Sequence, residues 1–235
     1  MNISTPSLEI IHHRLIVSCQ PDAHDRLGDP MNSPVIMTAL ALAALQGGAS
    51  AIRADSPADI AAIRAHVTVP ILGLFKHDIP GYEVRITPTV ADALAISAAG
   101  ADWLAIDATC RPRPEGKTAS EFIQMVVKAT KKPVFADIST FEEGVAAAEA
   151  GAAAVITTLS GFTPYSPQIE GPDLDLVMRL AAVVKVPVIA EGRYHTPEQA
   201  AQALAAGAYA VTVGGAITMP RRITERFIAA MDRIA

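Results

Sequence analysis

Two short phrases alternate along this chain, and their alternation restricts the fold more than any other feature. The first is Gly-Ala leading into a β-rich run: "GGASAIR" at 47–53, "AGADWLAID" at 99–107, "AGAAAVITT" at 150–158 and "AGAYAVTVG" at 206–214. The second is a proline step into another such run: "TVPILGLFK" at 68–76, "KKPVFAD" at 131–137 and "KVPVIAEG" at 185–192. Alanine-rich segments with helical periodicity separate them, among them "SPADIAAIRAH", "TFEEGVAAAEA" and "TPEQAAQALAA". Ser56, Thr140 and Thr196 read as helix N-caps, with Pro57 and Pro197 in the first turn. The glycine of each Gly-Ala phrase ends a helix, since the left-handed position after the cap suits glycine.

With "RLIVSCQ" at 14–20 counted first, eight short strands each precede a helix. Strands alternating with helices predict a parallel sheet. Eight such units in 235 residues predict a single-domain (β/α)8 TIM barrel over 1–235, with a short N-terminal extension of about 13 residues. A doubly wound open sheet is the alternative.

The strands are expected to end near Gln20, Arg53, Lys76, Asp107, Asp137, Thr158, Glu191 and Gly214. In a barrel these ends share one rim, the face on which active sites are built. Any one polar strand end is ordinarily a solvated loop start. Two cations and three carboxylates converging on one rim need a chemical reason. The run "ILGLFKHD" (71–78) poses the question most sharply, because Lys76 interrupts an apolar strand without transition. The loops "AEGRYHTPEQ" and "VGGAITMP" place glycines after strands 7 and 8, where backbone N–H groups can hold a phosphate. The residues therefore point to a barrel enzyme that moves protons on a small phosphorylated molecule, with lysine and carboxylate as acid and base.

Composition excludes other classes. The net charge is −5 with no run of like charges, so neither nucleic acid nor a membrane surface is an expected partner. No apolar run approaches the roughly 20 residues of a membrane helix, and no basic-then-apolar leader opens the chain. Cys19 and Cys110 are far apart and outside any paired motif, which suits a reducing, cytoplasmic setting. His12, His13, His24, His66 and His195 fall on tails, loops or helix ends, and His77 lies beside Lys76. No metal-ligand spacing occurs.

The stretches "KHDIPGYEVRITPT", "ADISTFEEG", "TTLSGFTPYS", "IAEGRYHTPEQA" and "GAYAVTVGGAIT" resemble the N-acetylmannosamine-6-phosphate 2-epimerase family, and the resemblance runs from about Leu15 to the last helix. It implies cofactor-free epimerisation of N-acetylmannosamine 6-phosphate to N-acetylglucosamine 6-phosphate in sialic-acid breakdown. It implies Lys76 and Glu191 as the catalytic pair and Gln20, Arg53 and Asp137 as substrate contacts. It places the phosphate on Gly192, Arg193, Gly214 and Gly215. A lysine base must be neutral, so its pKa must fall from about 10.4; burial and the nearby Arg53 are the expected causes. A homodimer is the expected assembly, and "LSGFTPYSPQ" the candidate lid. Two departures stand out: Met219 occupies a position where the family pattern has arginine, and His77 follows the lysine. Arg221 and Arg222 come next, at helix positions that need not face the pocket. The rival readings are a Schiff-base aldolase using Lys76 and a non-catalytic phosphosugar-binding barrel.

Overall fold

The computed structural model describes residues 5–22 and 28–234, with the side chain of Glu115 left aside. His24 and much of the loop after the first strand lie outside the described residues. The eight strands are β1 (Leu15–Cys19), β2 (Ala51–Asp55), β3 (Ile71–Leu74), β4 (Trp103–Asp107), β5 (Val134–Asp137), β6 (Ala154–Ile156), β7 (Val188–Glu191) and β8 (Ala210–Val213). They pair in parallel in sequence order, and β8 closes onto β1. The result is the expected (β/α)8 TIM barrel rather than an open sheet.

The helices follow the strands: α1 (Pro34–Gln46), α2 (Pro57–Arg64), α3 (Val90–Ala98), α4 (Ala119–Thr130), α5 (Phe141–Glu149), α6 (Leu174–Val183), α7 (Pro197–Ala205) and α8 (Pro220–Met231). The hydroxyls of Ser56, Thr140 and Thr196 each accept the third backbone N–H of their helix. Gly48, Gly100, Gly151 and Gly207 take φ of 98°, 108°, 98° and 98°, which terminates the preceding helix as the repeat predicts. α4 precedes a proline phrase instead, and its cap is Lys131 in the left-handed conformation.

Two cores result. One lies between the sheet and the helices and is built mainly from Val, Ile, Leu and Ala. The other fills the lower barrel, where Ile16, Leu72, Trp103, Phe135 and Ile189 meet and the Trp103 and Phe135 rings stack at 5.2 Å. The N-terminal extension seals this end. Residues Leu8–Ile11 form a 3-10 helix, Ile11 is wholly buried in the lower core, and the Trp103 indole donates to the Pro6 carbonyl at 3.3 Å.

Candidate active site

Side chains alternate across a strand, so every second residue faces the barrel lumen. On β5, Phe135 faces the lower core and Asp137 lies one inward step above it; on β7, Ile189 and Glu191 stand in the same relation. The lumen thus changes from apolar to charged within one step of the strand period.

Arg53 organises the charged layer. Its Nη1 and Nη2 donate to the two carboxylate oxygens of Asp137 at 3.0 and 2.9 Å, and Nη1 also donates to Glu191 Oε2 at 2.7 Å. Thr158 donates its hydroxyl to the same Asp137 carboxylate. Arg53 and Asp137 are 1% and 0% exposed, so this is a fully desolvated pair that stands only because each charge meets the other. Burial alone would pull the guanidinium down. Asp137, Glu191 and Asp55 outweigh it and hold Arg53 firmly charged. Glu191 is pushed the other way. Burial and the Asp137 charge raise its carboxyl to about 7, against the lowering pull of Arg53 and Lys76.

Lys76 lies beyond its strand rather than on its last step. β3 ends at Leu74, and a separate antiparallel bridge to Ile86 carries Lys76. Its backbone N–H donates to Asp55 Oδ1 at 2.9 Å. The following loop folds back on itself: Thr87 N–H donates to the Phe75 carbonyl at 2.8 Å, and the Thr87 hydroxyl accepts from Phe75 N–H at 3.1 Å. Thr87 in turn donates to the Ala105 carbonyl of β4 at 2.7 Å. The backbone at Lys76 is therefore held by a pinned hairpin. Burial lowers the Lys76 ammonium from its ordinary value; Arg53 and Arg85 add to this, while Asp55 and Glu191 oppose it. Both causes expected from sequence operate.

Lys76, Glu191, Arg53 and Gln20 border one cavity of about 680 Å³. β3 and β7 stand four places apart in the ring, so the lysine and the glutamate come from opposite walls. Gln20 is oriented by donating to the Ser18 hydroxyl at 2.6 Å. Gly192, Arg193, Gly214 and Gly215 border the same space. Gly192 has φ of 108°, and a Cβ there would come within 3.3 Å of the Thr158 carbonyl, so the turn requires glycine. Asp137 does not border the cavity; it sits behind Arg53 and touches the site through it. Asp107 is also set apart, because Thr109 and Arg111 take up its carboxylate.

Comparison with known proteins bears on this geometry. A family model described as "Putative N-acetylmannosamine-6-phosphate epimerase" matches residues 37–233. The chain belongs to this family. A relative from Caldanaerobacter subterraneus subsp. tengcongensis, named as a 2-epimerase of the same phosphosugar, is 50% identical, covering 94% of this chain and 92% of its own. One from an Enterobacter species is 43% identical, covering 96% and 95%. Among solved structures, the N-acetylmannosamine-6-phosphate 2-epimerase from Clostridium perfringens superposes with a TM-score of 0.91 at 40% identity, covering 98% of both chains.

Within this epimerase family the departures at the cavity mouth gain physical content. Met219 caps α8 without a side-chain hydrogen bond and borders the cavity. Arg221 and Arg222 both pair with Asp22, at 2.7 and 3.0 Å. Of the two, Arg222 reaches the cavity wall, as does Arg226 one turn on. The side chain of Arg193 points elsewhere. Its Nε donates to the Gly171 carbonyl at 2.5 Å and its Nη1 to the Ser160 carbonyl, so it ties down the stretch expected as a lid. Arg193 itself has φ of 57°.

Sequence reading missed several residues here. Glu143 accepts from Ser139, Thr140, Cys110 and Tyr165, joining the loops after β4, β5 and β6. Ser18 and Thr212 border the cavity, and carrying the period-two rule along β1 and β8 would have found both. Among the described residues no group of His, Cys, Asp and Glu is arranged to hold a metal ion.

Proposed function

We propose that this chain interconverts N-acetylmannosamine 6-phosphate and N-acetylglucosamine 6-phosphate by removing and returning the proton on C2. One observation carries the reading: in a single cavity burial lowers the Lys76 ammonium and raises the Glu191 carboxyl to about 7. Environments that push a base and an acid toward the same pH suit proton transfer on both faces of one carbon.

The Lys76 amine takes the C2 proton of the opened sugar, and the C–H electron pair moves onto the C1 oxygen as an enolate. Glu191 then gives its proton to C2 from the opposite wall, and the enolate pair forms the new C–H bond. Solvent restores both groups. The steps balance without oxidant or reductant. Arg53 stays charged and faces the developing enolate; Gln20 orients the sugar, and Asp137 positions Arg53. The phosphate lies against the backbone of Gly192, Arg193, Gly214 and Gly215, with Arg222 at the mouth.

The substrate class follows the relatives, which are named for a phosphorylated amino sugar. The setting is amino-sugar and sialic-acid breakdown in the cytoplasm. Among the described residues no helix is long and apolar enough to cross a membrane. A homodimer is the proposed assembly, supported by the exposed Phe227, Ile228 and Met231 of α8, a helix with no buried residue. The test is turnover of N-acetylmannosamine 6-phosphate in deuterated water, followed by NMR. Deuterium is expected at C2. Its absence under conditions that keep the enzyme folded and the phosphosugar intact overturns the proposal.

A further inference from the structure

We infer that Thr212 contacts the substrate, its hydroxyl bonding a sugar hydroxyl between C2 and the phosphate. The inference rests on the reading of the site given above. Thr212 is 1% exposed, and its Oγ1 has no hydrogen-bond partner among the described residues. Neighbouring hydroxyls are all engaged: Thr157 donates to the Glu191 carbonyl at 2.9 Å, Thr218 to the Ser18 carbonyl at 2.7 Å, and Ser18 accepts from Gln20. A buried hydroxyl without a partner carries a desolvation cost with no return. The position is a costly one to leave polar unless a ligand completes it.

Its place on β8 says which part of the ligand does so. Ala210 belongs to the lower lumen core, so Thr212, one period on, faces the lumen too. Its register partner on β7 is Glu191, and Gly214 follows two residues later, just past the end of β8. Thr212 borders the cavity between these two. With C2 at Glu191 and the phosphate at Gly214, the sugar atoms that pass Thr212 are the hydroxyl-bearing carbons between them. A hydroxyl can both donate and accept, so Thr212 and a sugar hydroxyl satisfy each other. Arg53 Nε is a second partnerless donor in the same lumen, which marks this layer as built to be completed by a polar ligand.

The test compares Thr212→Val, which removes the hydroxyl and keeps the branched shape, with Thr212→Ser, which keeps the hydroxyl. N-acetylmannosamine 6-phosphate is the probe, read by the rise in melting temperature on binding and by kcat/KM. The free Val variant is expected to melt no lower than wild type, since a partnerless hydroxyl contributes nothing to the fold. Its ligand-induced rise should shrink and its kcat/KM fall about tenfold, the loss of one hydrogen bond. The Ser variant should stay within about threefold of wild type by the same reasoning. An unchanged Val variant overturns the inference. So does one that binds normally but shifts the pH profile, which would make Thr212 a positioning residue for Glu191. Unliganded Val and Thr212→Ala variants that both melt well below wild type would show a structural partner and also overturn it. A wild type without turnover overturns the proposed function and this inference with it; an active wild type beside an unaffected Val variant overturns this inference alone.

Discussion

The lower and upper halves of the barrel lumen are built by the same strands with the same period, and they do opposite things. Below, Leu72, Trp103, Phe135 and Ile189 fill the space and exclude water. Above, Arg53, Asp137 and Glu191 occupy the next inward positions, with Arg53 and Asp137 paired out of solvent and Glu191 at the cavity edge. The lower half stabilises by burial, which is non-directional and tolerant of exchange among apolar residues. The upper half spends that stability on a charge network whose value lies in its pKa shifts. The difference teaches that the lower layer is a platform: it packs the strands from whose upper ends the charged groups project.

The comparison breaks most sharply at Lys76. Lys76→Met should lower turnover by about 10³-fold or more, because general-base transfer is lost, while the melting temperature holds. A variant that keeps its turnover would remove the amine from the chemistry. Next comes the platform. Phe135→Ala should cost about 3–5 kcal/mol of stability in denaturant melts, with the folded fraction turning over within a few-fold of wild type. If turnover collapses while the fold holds, the two layers are not separable.

A subtler separation is by pH. Glu191 keeps its proton to about pH 7 when folded and loses it near 4.5 when unfolded. Between those values the folded state binds more protons, so stability falls as pH rises through the window. Glu191→Gln should flatten that slope in melts from pH 4.5 to 7 and remove the alkaline limb of any residual activity. Phe135→Ala should leave the slope as it is. The smallest effect is expected outside both layers. Thr196→Ala removes the α7 cap and should cost about 1 kcal/mol with no change in turnover; a change in turnover would link the cap to the Gly192 turn.

Much of this was legible in the chain. The Gly-Ala and proline phrases marked seven of the eight strands, and the caps at Ser56, Thr140 and Thr196 marked helix starts to the residue. Those signals are local, so a linear reading captures them. The strand-end rule brought Gln20, Arg53, Lys76 and Glu191 to one cavity, yet it also drew in Asp107, whose carboxylate is absorbed by its own loop. It set Lys76 on the strand, where the bridge to Ile86 and the Thr87 contacts instead carry it. Arg193 borders the cavity as expected, with its side chain tied to the loop after β6. The misses at Asp107 and Lys76 share a cause: each depends on which partner a loop folds back to meet.

The sequence by itself determined the order of elements, the period of each strand and the residue types that reach the lumen, because periodicity and capping act over a few residues. Only the tertiary structure decided that residues 84 apart in the chain, Arg53 and Asp137, form a buried pair with Glu191 at its edge. Closure of the barrel brings them together, and burial there turns an ordinary lysine and glutamate into groups displaced from their usual pKa values. Desolvation belongs to the assembled cavity, and no short stretch of chain carries it.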